Sequence, residues 1–179
     1  MDVSQAISER CSVKQYEQRP IPMELLQQVV EAAYLAPTGA NWPSREVLVV
    51  IDRDQLEQLG KAHGACQWLS GAAAGIALLG DPAVSRYWVE DCSVAATEVW
   101  LRAVELGLGC AWAAMYQSDN PEESTRREGF CRQVLGIPER LRVVAIMGLG
   151  FPAESPAPKA RRPYDDVAHW GSYGQHLNR

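Results

Sequence analysis

Apolar residues recur along this chain with two different periods, and the switches between them mark out its elements. Val3, Ala6 and Ile7 share one face of a short helix expected over residues 3–10. A polar run to Arg19 leads into Pro20-Ile21-Pro22, where two prolines bar regular structure. Pro22 opens a helix over about 23–35, with Leu25, Leu26, Val29, Val30 and Ala33 on its apolar side. Pro37 ends it, and Thr38 to Pro43 reads as an ordered loop. The run EVLVVI over 46–51 is nearly all β-branched or aliphatic, as expected of a strand buried on both faces. Asp52 or Asp54 caps a short helix over 55–62. Residues 76–79 predict a second buried strand, closed by Gly80-Asp81-Pro82.

The longest helix is expected over 87–106. It carries Val89, Val94, Ala95, Val99, Trp100, Ala103 and Val104, apolar around more than half its girth, so it should be buried on two sides, in the core or against a second subunit. Gly107 and Gly109 stop it. A strand over 110–116, a helix over about 123–135 and a strand over 141–147 complete the pattern. The remaining stretch is rich in Pro, Gly and charge, and a tail of that length suits a segment that wraps a partner or a site. Residues 1–179 read as one domain.

Composition narrows the functional classes. Hydrophobic residues make up 47%, enough for a sizeable core, and the net charge of -5 comes with no basic stripe that would suit nucleic acid. No apolar run approaches the ~18 residues of a membrane span. Cys11, Cys66, Cys92, Cys110 and Cys131 show no C-x-x-C spacing, and the N-terminus is polar; both fit a cytoplasmic protein with reduced thiols. His63, His169 and His176 lack metal-ligand spacing. Gly107-x-Gly109 follows a helix and Gly148-x-Gly150 leads into Phe151-Pro152, so neither forms the strand–glycine–helix loop that binds a dinucleotide. There is no G-x-S-x-G elbow and no Walker loop. A site so short of acid–base machinery suits a cofactor that brings its own chemistry.

Three short stretches offer binding groups. Arg10-Cys11-Ser12-Val13-Lys14 places a guanidinium, a hydroxyl and an ammonium at alternate positions, which point the same way in an extended segment and suit a phosphate dianion. Taken alone, the same stretch reads more readily as a solvated basic linker. Lys159 and Arg161 repeat the alternation in the tail, with the same plain alternative. Thr38-Gly39-Ala40-Asn41 joins a hydroxyl, a flexible backbone and an amide in one loop, or is simply a helix C-cap.

In chain order these pieces resemble the FMN-dependent nitroreductase family of the small, single-domain type. The resemblance runs from Ile7 to about Trp170. It rests on Arg10-x-Ser12-Val13-Lys14-x-Tyr16, Pro20-Ile21-Pro22, Ala36-Pro37-Thr38-Gly39-Ala40-Asn41 and Leu106-Gly107-Leu108-Gly109-Cys110-Ala111-Trp112. Leu135-Gly136-Ile137-Pro138-Glu139, Gly148-Leu149-Gly150-Phe151-Pro152, Lys159-x-Arg161 and Asp165-Asp166-Val167 with His169 follow in order. The resemblance implies an α+β fold with a mixed, mostly antiparallel sheet flanked by helices. It implies a homodimer with the long helix at its centre, the tail wrapping the partner, and two FMN molecules touched by both subunits. By the same resemblance Arg10, Ser12, Lys14, Lys159 and Arg161 would hold the phosphate and ribityl chain, Asn41 would reach the flavin ring from its loop, and Cys11 and Thr38 would belong to the same cofactor site. The loop around Ala113 and Ala114 would offer backbone groups to the isoalloxazine.

The implied activity is ping-pong transfer of electrons from NADH or NADPH to a small organic acceptor such as a quinone or nitro compound. Two departures leave other readings open. The family commonly writes Asn-x-Gln-Pro where this chain has Asn41-Trp42-Pro43, and the run between Tyr116 and Ser124 is too short for a large lid. Dehydrogenation or reductive dehalogenation on the same flavin remains an alternative, as does a flavin-binding carrier or sensor without turnover.

Overall fold

The structure, a computed structural model, describes residues 1–154 and 160–176. Helix α1 (Val3–Glu9) begins at Asp2, whose carboxylate accepts from the Gln5 amide. After an extended segment come α2 (Met23–Leu35), a 3-10 turn at Gly39–Asn41, and strand β1 (Arg45–Val50). Next are α3 (Arg53–Leu59), a 3-10 helix over Gly64–Gly71, β2 (Ala74–Gly80) and the long α4 (Trp88–Glu105). Strand β3 (Gly109–Ala114), α5 (Pro121–Leu135) and β4 (Arg142–Gly150) follow, with a 3-10 turn at Tyr164–Asp166 in the tail. Asp52, not Asp54, caps α3. Gly107 turns the chain out of α4 at a φ of 73°, a conformation that glycine takes without a Cβ clash.

The four strands form one sheet in the order β1-β2-β4-β3, antiparallel throughout. Its parallel component is confined to an isolated bridge between Ser12 and Cys110. Strands β2 and β4 lie at the centre and are buried along almost their whole length. Ile76, Leu78, Met147 and Leu149 turn toward α2 and α4; Ala77, Leu79, Val143 and Ile146 turn toward α3, the Gly64–Gly71 helix and α5. Within β4 the alternation breaks at Val144, where the register against β2 shifts between Leu78 and Leu79. The carbonyl of Val144 receives both the Met115 and Tyr116 amides, as a bulge allows.

Strand β1 corrects one expectation. It is an edge strand, paired with β2 alone, and Glu46 and Val49 are exposed. An aliphatic run does not distinguish a central strand from an edge strand half covered by a helix. Helix α4 meets the core along one side. Asp91, Cys92, Ala95, Ala96, Val99 and Ala103 face the core, but Val94 is 40% exposed on the outer side. In a single chain the helix is therefore buried along one face. Strand β4 also runs past its expected end to Gly150, because glycines there let side chains lie flat on the sheet: a Cβ on Gly148 would meet Trp68 at 2.4 Å and one on Gly150 would meet Tyr16 at 2.7 Å.

Beneath the sheet Glu128 of α5 is fully buried and hydrogen-bonded on every side. Arg142 reaches it from β4 at 2.7 and 2.8 Å, the Val143 amide at 3.0 Å, and Arg132 at 3.4 Å. The five cysteines are free thiols, all but Cys11 buried. No helix among the described residues is long and apolar enough to cross a membrane. Replacing Glu128 by Ala should cost about 3 kcal/mol, since it leaves the buried Val143 amide without a partner and takes the carboxylate from the half-buried Arg142 and Arg132. Glu128→Gln, which keeps an acceptor for that amide, should cost less; urea midpoints of the two variants and the parent check the order.

Candidate active site

Two groups of expected binding residues stand at different places along α4. The first gathers where the segment after α1 crosses the edge of β3. Val13 donates to the Cys110 carbonyl at 3.0 Å, and Gly109 leaves space for the Val13 side chain, which a Cβ there would meet at 2.6 Å. Tyr16 lies over Gly150, its hydroxyl 2.6 Å from the Val13 carbonyl and 3.1 Å from that of Gly148. Burial pushes the Tyr16 pKa up, so the phenol stays protonated as a donor. Held this way, the segment presents Arg10 with its guanidinium 4.7 Å from the centre of the Trp100 ring of α4, and the Trp100 indole donates to the Cys11 carbonyl.

The tail returns to the same place. Arg161 donates to the Ser8 carbonyl at 3.1 Å, at the end of α1. Arg10, Cys11 and Arg161 thus line one cleft of about 810 Å³, walled by Val13, Val104 and Leu108, with Glu9 also on its lining. Neither arginine pairs with a carboxylate among the described residues. Two guanidinium groups without a carboxylate partner in an apolar cleft suit an anionic head on a large apolar ligand, so these residues fit a flavin mononucleotide phosphate. Burial holds Cys110, on the cleft wall, as a neutral thiol.

Not all of the expected set converges. The Lys14 ammonium lies 5.8 Å from the Trp68 ring, which packs in the opposite layer from Trp100. Cation–π attraction draws Arg10 and Lys14 to rings on opposite sides, so the shared direction expected from alternation is not seen. Ser12 is half-buried and held by its bridge to Cys110. Ala113 and Ala114 lie on strand β3 and not in a loop. Ala113 is packed in the core, and the Ala114 carbonyl already receives Arg127 at 3.1 Å. Lys159 lies outside the described residues.

The second group surrounds the Gly39–Asn41 turn. Ala40 and Asn41 both adopt left-handed backbone, with φ of 54° and 57°. Each such residue costs roughly 1–2 kcal/mol without compensation. The compensation comes from α4. Asp91, 3% exposed, accepts from the Gly39 amide at 2.7 Å and from the Ser44 hydroxyl at 2.5 Å. Arg45 fastens the other side, donating to the carbonyls of Ala36 at 2.7 Å and of Asp91 at 3.2 Å. Thr38 is half-buried beside the turn, and Asn41 is exposed. Sequence reasoning missed Asp91 and Arg45. An acid in a helix's first turn reads as a partner of the helix dipole, and nothing in the spacing ties it to a loop fifty residues earlier.

Along α4, Asp91 and Trp100 stand about half a turn apart in direction and about 14 Å apart in height. The Arg10 cleft and the Asn41 turn therefore open at opposite borders of the helix's buried face. Among the described residues no cluster of three or more His, Cys, Asp or Glu is placed to hold a metal ion.

The chain matches the family model "Nitroreductase family" in two overlapping stretches, residues 7–87 and 61–151. It is 36% identical to a protein of Archaeoglobus fulgidus provisionally named NADH dehydrogenase/NAD(P)H nitroreductase, over 81% of this chain and 82% of that one. It is 24% identical to the FMN reductase [NAD(P)H] of Bacillus subtilis, over 96% of this chain and 74% of the relative. Among solved structures it superposes on an FMN-dependent nitroreductase of Clostridium difficile with a TM-score of 0.86 and 25% identity, covering 94% of this chain and 98% of that one. The order of motifs, the antiparallel sheet between two helical layers and these matches agree: the chain belongs to the nitroreductase family.

Proposed function

We propose that this protein is an FMN-dependent NAD(P)H oxidoreductase, a homodimer in the reducing cytoplasm that passes electrons to a small organic acceptor such as a quinone or nitro compound. The observation that carries the reading is the cleft in which Arg10 and Arg161 converge without a carboxylate partner. The family and the FMN-linked names of relatives and neighbours support the same cofactor.

Arg10 and Arg161, aided by Ser12 and Lys159, would hold the phosphate and ribityl chain, and Thr38 and Asn41 would meet the ring. Bound FMN supplies two-electron chemistry, taken up from NADH or NADPH and given to the acceptor in alternating, ping-pong fashion. The chain's own part is binding, orientation and the exclusion of water. Val13, Val104 and Leu108 give the cleft its apolar walls. Only residues 115–120 link β3 to α5, so no inserted lid covers this face and small acceptors have access.

The half-turn between the Arg10 cleft and the Asn41 turn favours sites shared between subunits, with Arg10 from one protomer and Asn41 from its partner. A groove of about 690 Å³ between α2 and β1, lined by Leu26, Val30, Tyr34, Val49 and Ile51, gives a second copy apolar surface to cover.

Three outcomes are expected. The purified protein should be yellow and bleach anaerobically on adding NADH or NADPH. A yellow protein that both donors leave unbleached would be a carrier, and a colourless one that takes up no FMN would defeat the reading. Arg10→Ala and Arg161→Ala should each weaken FMN by about 1.5–3 kcal/mol while leaving riboflavin, which lacks the phosphate, nearly untouched in fluorescence titrations. Mixing Arg10→Ala subunits with Asn41→Ala subunits after dissociation should restore about one intact site in four, because one of the two sites in a mixed dimer keeps both residues. Activity no higher than that of the separate variants would place the whole site within one chain.

A further inference from the structure

We propose that Asp91 is a positioning residue for the flavin: its buried carboxylate locks the Gly39–Asn41 turn in left-handed form and so presents Asn41 to the ring. The inference rests on the reading that Asn41 meets the flavin. It starts from a conflict in the local chain. Ala40 and Asn41 are consecutive left-handed residues, and neither is glycine. The residue that could relax, Gly39, cannot accept a side chain, since a Cβ there would meet the Tyr87 ring at 2.4 Å. The turn is therefore pressed against the start of α4 while its own backbone preferences pull it elsewhere.

Asp91 resolves that conflict, and its two oxygens go to the two flanks of the turn. Oδ1 takes the Gly39 amide and Oδ2 takes the Ser44 hydroxyl, so the residues between are spanned by one carboxylate. A carboxylate suits the place because both partners donate; an amide would set an N–H₂ against one of them. Burying an acid is costly, and here each carboxylate oxygen finds a donor, while Arg45 grips the carbonyls of Ala36, Pro37 and Asp91 itself. Asp91 and Arg45 thus close a brace around the turn from inside. Outside it, Asn41 and Trp42 are exposed; the Asn41 backbone donates to the Thr38 carbonyl, and its side-chain amide has no protein partner among the described residues. A brace this costly around an uncommitted amide is what a precisely oriented ligand contact requires.

The carboxylate's effect on the flavin should run through Asn41, and a double-mutant cycle on the FMN-loaded protein isolates that dependence. The FMN dissociation constant and the midpoint potential of the bound flavin are measured for the parent, Asn41→Ala, Asp91→Ala and the double variant. Each single change should weaken FMN roughly tenfold, the loss of one hydrogen bond's worth of affinity, and should shift the potential in the same direction. The double variant should be no worse than either single one, and Asp91→Asn, which keeps an acceptor for Gly39, should recover part of the loss. If Asp91→Ala does not fold, Ser44→Ala, which removes one of the carboxylate's partners, should reproduce the effect in weaker form. A lowered melting temperature with the parent's FMN affinity and potential would make Asp91 structural only and overturn the proposal. So would single effects that multiply in the double variant. If Asn41→Ala leaves both flavin readouts unchanged, the assignment of Asn41 to the ring fails and the brace has nothing to position.

Discussion

Covering both faces of β2 and β4 is the requirement from which the rest of this structure follows. Neither strand carries a charged side chain between Ala74 and Gly80 or between Val143 and Gly150, so neither face can meet water. A sheet of this kind needs a helical layer on each side. Helices α2 and α4 fill one, and α3, the Gly64–Gly71 helix and α5 fill the other. Glu128, a charge buried fully in the layer of α5, is tolerated because Arg142, Arg132 and the Val143 amide meet it there.

With the centre committed to packing, chemistry is left to the borders. The outer edge of β3 receives the segment after α1, and with it Arg10. The far border of α4 carries the Gly39–Asn41 turn. Both are held by contacts that leave little freedom, the first by small residues beneath Val13 and Tyr16 and the second by Asp91. The same arrangement sets the Arg10 cleft and the Asn41 turn at opposite borders of the buried face of α4.

Much of the fold was legible in the sequence because periodicity reports burial directly. Among the described residues the five α-helices and the four strands lie where apolar spacing puts them, with ends shifted by a few residues. The Gly64–Gly71 helix was not legible: its three-residue turn leaves no 3.6 period, and Cys66 and Leu69 look like loop residues until the sheet they cover is known. The edge position of β1 was hidden too, since EVLVVI carries no mark of its neighbours. At the site, alternation located Arg10 but not the pull of separate tryptophans on Arg10 and Lys14. Motif order located the Asn41 loop but not its support, because Asp91 and Gly39 are joined only by the folded chain.

The sheet order also bears on how the chain is made. Central strands β2 and β4 are partners, yet α4, β3 and α5 separate them along the polypeptide. Closing so long a loop is entropically costly, and ladders of distant residues form slowly. As the polypeptide leaves the ribosome, β2 must wait for α4, β3 and α5 to be made before β4 can pair with its second edge. During that interval α2 and α4 have only a two-stranded ribbon to rest on, and their apolar faces stand open to other nascent chains. The order in which the strands are made therefore leaves the second edge of β2 open until the α5 segment and β4 have been added.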